Sequence, residues 1–230
     1  MCDEFQPRLK VSELAKLARE RAAALTAEGT ELRSVTGKGR ALAEHFWGRA
    51  WMKQLALCES GGLNLAPGRT LLRHGCVLDI RADAGDIRAL VSAEELYEVH
   101  LRLHPLEEEH RDKLAAECRG HIDSLVSLLE GKLDAAVLER LCAPETGLLP
   151  EPADWRMSCT CPDWSEPCPH AAAAIYALGC LVDAEPALLF SLRGMAAEDL
   201  LTPPEEPPGA AELDTAALSS LFGIEIETEA

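Results

Sequence analysis

The sequence contains few aromatic residues and no long apolar run. Phe, Trp and Tyr make up 4% of the 230 residues, and no eighteen consecutive residues are apolar. A helix that crosses a bilayer needs about 20 mostly apolar residues, so we expect no membrane span. The first ten residues, MCDEFQPRLK, lack the apolar segment of a signal peptide. Nine cysteines without such a signal indicate a reducing compartment, and we therefore expect a cytoplasmic protein.

Basic residues are also scarce. Lys and Arg number 22 against 39 Asp and Glu, which gives a net charge of −17. Non-specific binding to DNA depends on Lys and Arg that neutralise phosphates. The charge therefore favours a protein partner over naked DNA. A local basic face formed by residues 8–49, Arg156 and Arg193 stays open as an alternative.

The motifs of common enzyme classes are missing from the sequence. The segment TGKG at residues 36–39 lacks the Walker spacing and the following Ser or Thr of a phosphate loop. Neither a nucleophile elbow nor an HExxH motif is present. We therefore predict no catalytic residues and no enzymatic activity.

One short segment gathers three cysteines and a histidine. Cys159, Cys161, Cys168 and His170 follow the spacing C-x-C-x6-C-x-H. Three thiolates and one imidazole form a complete tetrahedral ligand set for Zn²⁺. In an extended segment the first two cysteines point to the same face. We predict a strand that runs into the first two cysteines, a knuckle rich in turn-forming residues between Cys161 and Cys168, and a helix that ends at Gly179.

Three other interpretations of this segment remain open. The cysteines could be buried core residues, since cysteine is among the most buried residue types. They could form disulfides, although two cysteines one residue apart do not easily bridge to each other. A catalytic zinc would keep one position open, whereas four good donors in one knuckle favour a closed structural site.

The same segment resembles a known family. Residues 158–179, SCTCPDWSEPCPHAAAAIYALG, are similar to the SWIM zinc finger. Two further motifs of bacterial SWIM zinc finger family proteins are matched by HFWGRAW at residues 45–51 and PALLFSLRG at residues 186–194. The resemblance covers roughly residues 40–201. It implies a zinc-binding module in DNA-transacting or chromatin-type assemblies, with a helicase-like ATPase as the leading candidate partner.

Apolar periodicity predicts helices and three short strands, hence an α+β fold. The resemblance implies that the strands form a small antiparallel sheet flanked by helices, with a strand–knuckle–helix at the zinc site. We predict helices over residues 9–33, 41–58, 107–118, 120–131, 134–142 and 186–201, and strands at 76–80, 87–91 and 97–103. Residues 66–68 are predicted to be loop. We divide the chain into an N-terminal helical extension at 1–39, an α+β domain at 40–150, the SWIM zinc finger with its following helices at 151–201, and an acidic, proline-rich, flexible tail at 202–230.

Several residues outside the knuckle also attract attention. Trp47 and Trp51 are expected to anchor the core, with base stacking as the alternative. His100 and His104 would lie about 13 Å apart on a strand, which is too far to share one ion. Residues 213–226 place apolar side chains among acids, a pattern that suits either a docking peptide or a frayed tail.

Overall fold

The computed structural model of the chain describes residues 9–37 and 41–201. Within this part, helices surround one four-stranded antiparallel sheet, so the predicted α+β class is confirmed. No described helix has the length and apolar character needed to cross a membrane. The predicted tail at 202–230, with its candidate docking peptide at 213–226, lies outside the described residues, as do residues 1–8 and 38–40.

Helices and strands alternate in blocks along the described chain. The α-helices are α1 Val11–Ala27, α2 Phe46–Ser60, α3 Ala66–Arg73, α4 Glu108–Cys118, α5 Leu125–Glu130, α6 Ala135–Leu141, α7 Pro169–Ala184 and α8 Ala187–Leu192. The strands are β1 Val77–Asp83, β2 Asp86–Ser92, β3 Leu96–Leu103 and β4 Trp155–Cys159. Short 3-10 helices occupy Pro152–Asp154 and Ala197–Leu200.

The sheet is an antiparallel meander with the order β1-β2-β3-β4. A tight turn joins β1 to β2 at Ala84 and Gly85, where φ is positive at both residues (41° and 85°). β4 returns after a long helical excursion and pairs with β3, with Val99 opposite Cys159 and Leu103 opposite Trp155. The strand that leads into the cysteine segment is therefore part of the main sheet.

Helix α7 lies at the centre of the structure. Twelve of its sixteen residues are buried, from His170 to Gly179 and at Leu181 and Val182. A helix that is apolar on all sides is stable only when protein surrounds it. α2, α3, α8 and all four strands supply those contacts. Because α7 begins in the knuckle, the candidate site is anchored directly to the core.

The two tryptophans of α2 are core residues, as expected. Trp47 and Trp51 are 0% and 1% exposed. The indole N–H of Trp47 donates to the carbonyl of Leu128 (2.8 Å), and that of Trp51 donates to the carbonyl of Ile175 (3.3 Å). These bonds satisfy the polar atom that each ring buries, which removes the usual penalty for a buried donor.

The predicted end of α7 at Gly179 is wrong, because the helix continues to Ala184. A Cβ at position 179 would lie 2.8 Å from Nε1 of Trp51 and closer still to Cδ1 of the same ring. The glycine therefore allows α2 and α7 to approach each other and does not terminate the helix.

The predicted loop at residues 66–68 is also wrong, because α3 begins at Ala66. Pro67 stands in the first turn of α3, where the missing N–H costs no helical hydrogen bond. Gly68 faces α7, and a Cβ there would lie 2.5 Å from Cβ of Ala172. α3 and α7 are consequently packed at very short range.

Two other predicted helices are shorter in the structure. α1 ends at Ala27, and the chain beyond it runs beside β1, where the amide of Ile80 donates to the carbonyl of Arg33 (3.1 Å). α5 begins at Leu125, after Ser124, whose side chain accepts a hydrogen bond from Ser127 N. The helix therefore begins at residue 125 and not at residue 120 as predicted.

The sheet and the core extend across residues 150 and 151, the predicted boundary between the α+β domain and the zinc finger. β4 belongs to the same sheet as β3, and α7 packs against α2 and α3. That the two segments are separate folding units stays a prediction.

Candidate metal centre

The first two cysteines are positioned by the edge of the sheet. Cys159 is the last residue of β4 and lies opposite Val99. Thr160 extends this pairing, because its amide donates to the carbonyl of Glu98 (3.1 Å) and its hydroxyl accepts from the amide of Glu98 (3.0 Å). These hydrogen bonds to β3 fix the backbone at Thr160 and thereby the positions of Cys159 and Cys161.

The other two side chains are positioned by the start of α7. Cys168 is the N-cap residue of the helix, and its Sγ accepts a hydrogen bond from the amide of Ala171 (3.4 Å). Pro169 occupies the first helical position, where its fixed φ suits the helix. His170 follows in the first turn and is 1% exposed.

A tight loop connects these two supports. The amide of Ser165 donates to Oδ1 of Asp163 (2.9 Å), which closes an Asx-type turn. Sγ of Cys161 lies 3.8 Å from the carbonyl oxygen of Asp163. The loop therefore reverses the chain direction within a few residues, so that the strand end and the helix start face each other.

The structure brings all four predicted side chains together. One ligand atom from each of Cys159, Cys161, Cys168 and His170 lies within 4.8 Å of the other three. Sγ of Cys159 and Nδ1 of His170 are 3.9 Å apart. Sulfurs bound to one tetrahedral zinc at ~2.3 Å are about 3.8 Å apart, so a small contraction of the cluster would complete the site. The donor set fits the metal, and the assignment of these residues as its ligands stays a prediction.

The hydrogen bonds within the cluster favour a thiolate at Cys168 and a neutral thiol at Cys159. The hydrogen bond with Cys159 lowers the pKa of Cys168 most, and those with His170 and the amide of Ala171 lower it further. The hydrogen bond with Cys168 raises the pKa of Cys159, and burial raises the pKa of Cys161. A cation that binds thiolates would displace the remaining protons. The N-terminus of α7 adds a positive partial charge beside Cys168.

One neighbour of the cluster was missed by the sequence reasoning. The ring of Tyr97 lies over the imidazole of His170, with centroids 4.3 Å apart and an interplanar angle of 35°. Tyr97 is 5% exposed, so it fixes the orientation of the imidazole from the core side. The inward-facing positions of β3, read together with the pairing of β3 and β4, would have identified it.

A second neighbour, Trp164, is almost fully exposed, and the sequence reasoning gave it no role. Trp164 stands in the loop between Cys161 and Cys168 and is 97% exposed. Among the large apolar side chains in the described residues, the next most exposed is Val126, at 63%. Burial in the core cannot be the reason for a tryptophan at this place.

The alternatives to a metal site can be compared with the structure. The eight described cysteines are all free, so the structure contains no disulfide among them. His100 pairs with Asp86, with Nε2 and Oδ2 2.7 Å apart, and belongs to no metal-binding group. Within residues 9–37 and 41–201, the cluster at 159–170 is the one group of His, Cys, Asp or Glu arranged to hold a metal ion.

The predicted basic face has to be corrected at Arg193. This side chain is buried, with Nη1 3.1 Å from Oδ2 of Asp154 and 2.9 Å from the carbonyl of His104. Burial lowers the pKa of its guanidinium, an effect that the charge of Asp154 opposes. Arg193 therefore joins two segments of the core and is not available to DNA, whereas Arg156 is exposed.

Comparison with known proteins agrees with the cluster geometry. Residues 157–179 match the model of the SWIM zinc finger. The "Uncharacterized protein Rv2102" of Mycobacterium tuberculosis is 29% identical over 181 residues, which cover 75% of this chain and 62% of that protein. The chain thus spans less than two thirds of the length of this relative. No solved structure matches the chain. These findings confirm the predicted resemblance: residues 157–179 of the chain are similar to a SWIM zinc finger.

Proposed function

We propose that the chain is a non-enzymatic zinc-binding interaction module. The observation that carries this proposal is the convergence of four protein donors within 4.8 Å of one another. A structural zinc site uses four protein ligands, whereas a catalytic site keeps one position for water or substrate. A zinc ion held by Cys159, Cys161, Cys168 and His170 would have no open position.

The formal charge of such a site also favours a structural zinc over a catalytic one. Three thiolates and a neutral imidazole around a divalent ion give a formal charge of about −1 by simple counting. An ion with that ligand set is a poor Lewis acid. Zinc at this place would act as a cross-link between the end of β4 and the start of α7, and its binding energy would contribute to folding.

The knuckle is the surface that we assign to a protein partner. Trp164 projects into solvent from the loop that the zinc would close. Tryptophan is enriched among the few residues that dominate protein interfaces. Asp163 and Glu166 surround it with negative charge. A basic partner surface with an apolar pocket would complement this arrangement, since matched fields speed and orient association.

The partner that we favour is a helicase-like ATPase or another component of DNA-transaction machinery. This choice rests on the resemblance to bacterial SWIM zinc finger proteins, and the acidic balance of the chain suits a basic motor protein. The test is binding between the full chain and a purified helicase-like ATPase from the same genome. Trp164→Ala should keep its zinc and its stability but bind the ATPase about 30-fold more weakly, the effect of losing ~2 kcal/mol at an interface centre.

The matched control for this experiment is Val126→Ala. Val126 is also exposed, at 63%, but it lies on α5 and not in the knuckle. We expect this variant to bind the ATPase like the unmodified chain. Equal binding by Trp164→Ala would remove Trp164 from the interface, and the absence of any binding by the unmodified chain would reject the ATPase as partner.

Direct binding to DNA is the second candidate function. The observation in its favour is a set of exposed arginines on the outer face of the sheet, one from each strand: Arg81, Arg88, Arg102 and Arg156. Neighbouring carboxylates reduce this positive charge, because Asp86 lies 3.2 Å from Arg88 and 3.8 Å from Arg102. We therefore favour the protein partner. A mobility shift at low salt that disappears in Arg88→Ala would reverse that preference.

A further inference from the structure

An apolar groove that the proposed function does not use lies between α2 and α6. It has a volume of about 570 Å³. Its apolar lining includes Phe46, Ala50, Leu57, Leu138 and Leu149. Leu57, which lines the groove, is 54% exposed, and an exposed apolar patch of this kind marks a candidate contact surface. None of the lining residues belongs to the knuckle, so the groove is a separate surface.

The rim of this groove is basic in a strongly acidic chain. Arg49 and Lys53 stand one turn apart on α2, and the one acidic residue of the lining is Glu139. Neither Arg49 nor Lys53 forms an ion pair with any residue in the described part of the chain. The groove thus combines an apolar floor with two cations available to an acidic ligand.

A segment of the same chain has the complementary chemistry. Residues 213–226 contain two acidic residues and no Lys or Arg. Leu218, Leu221 and Phe222 follow the i, i+3, i+4 spacing of helices that bind in apolar grooves. Glu212, Glu227 and Glu229 add further negative charge at the two ends of the segment.

The connection is long enough for this segment to reach the groove. The 3-10 helix Ala197–Leu200 packs on α5, and α5 packs on α2. Two such packing steps span about 20 Å, given 8–10 Å between packed helices. The eleven residues 202–212 are rich in proline and would cover about 34 Å at ~3.1 Å per residue.

We propose that residues 213–226 bind in the α2–α6 groove as an amphipathic helix, with the apolar stripe on the floor and Glu225, at the C-terminal end of that stripe, toward Arg49 and Lys53. The segment is then an internal ligand of the fold. Any external peptide of the same acidic, amphipathic chemistry would have to displace it. This contact is independent of zinc and of the knuckle, so it can hold or fail without affecting the proposed function.

Hydrogen–deuterium exchange of the full chain, resolved by peptide, tests the proposal. A short linker gives an effective concentration in the millimolar range, so even a dissociation constant of about 100 µM predicts exchange about tenfold slower over residues 213–226 than in a free peptide of that sequence. Leu221→Asp should restore the free rate. Ser220→Asp is the matched control, because on a helix this residue faces away from Leu218, Leu221 and Phe222 and its protection should remain.

A charge swap identifies the groove as the binding site. Arg49→Glu with Lys53→Glu should remove the protection, and adding Glu225→Lys, which lies one turn beyond Leu221 on the same side of the helix, should restore part of it. Exchange at the free-peptide rate in the unmodified chain would overturn the proposal. Protection that grows with protein concentration would also overturn it, because the groove would then be occupied by a second copy of the chain.

Discussion

Gly68 offers a sharp test of how the fold supports the candidate site. A Cβ at this position would lie 2.5 Å from Cβ of Ala172 and closer still to the backbone of Ala172 and Ala173. Ordinary contact begins at 3.4 Å. Gly68→Ala must therefore push α3 away from α7 by about 1 Å, since the backbone of α7 cannot rotate aside as a side chain would.

The expected cost follows from two opposing terms. Overpacking in a close-packed interior costs about 1–3 kcal/mol, and a backbone obstacle places Gly68→Ala at the upper end of this range. Alanine is favoured over glycine in a helix by about 1 kcal/mol, so the net loss in the free energy of unfolding is about 2 kcal/mol. For a chain of this size the melting temperature should fall by roughly 4–8 °C.

Urea denaturation and thermal unfolding of the zinc-loaded chain measure this loss. Gly61→Ala is the matched control, because φ is −79° there and the nearest atom to an added Cβ is 3.4 Å away. We expect the control to change stability by less than about 0.5 kcal/mol. His170 lies on α7 only two residues before Ala172, so the altered contact in Gly68→Ala should also weaken zinc binding. If Gly68→Ala is as stable as Gly61→Ala, the close packing of α3 on α7 is refuted.

Two further predictions concern the edge and the outer face of the sheet. Arg21 donates to Oγ of Ser92 and to three carbonyls of the β2–β3 turn over 2.7–2.9 Å, so Arg21→Ala should cost about 2 kcal/mol in urea denaturation, whereas Arg19→Ala, which loses one bond within α1, should be nearly neutral. The hydrogen bond from His100 lowers the pKa of Asp86, so an NMR titration should place its midpoint below the ordinary value of about 3.9 and His100→Ala should raise it. The pKa of Asp86 is lower in the folded chain than in the unfolded chain. Its small contribution to stability is therefore present above the unfolded pKa and is lost as the pH falls through the folded pKa.

The knuckle could be predicted from the sequence because its determinants are local. The C-x-C spacing fits a strand, and Cys168 followed by Pro169 fits the start of a helix. Each of these signals depends only on residues next to it. The alternation of apolar residues in β1, β2 and β3 is equally local, and these three strands were predicted from it. That they form an antiparallel sheet was implied by the family resemblance and is confirmed.

The features that escaped prediction depend on contacts between distant residues. Gly179 would end a helix in isolation, but the ring of Trp51 occupies the space where its side chain would stand. Pro67 and Gly68 indicate a turn by composition, whereas the close approach of α7 makes glycine necessary within α3. Arg193 looks like part of a basic face until Asp154 is seen beside it in the core.

Metal analysis of the purified full chain tests the central claim most directly. The account predicts one zinc per chain, lost in Cys161→Ser and kept in Cys180→Ser, which removes a half-buried thiol of α7 outside the cluster. A purified chain without zinc would contradict the account, and so would a Cys161→Ser variant that remains folded and binds zinc as tightly as the unmodified chain.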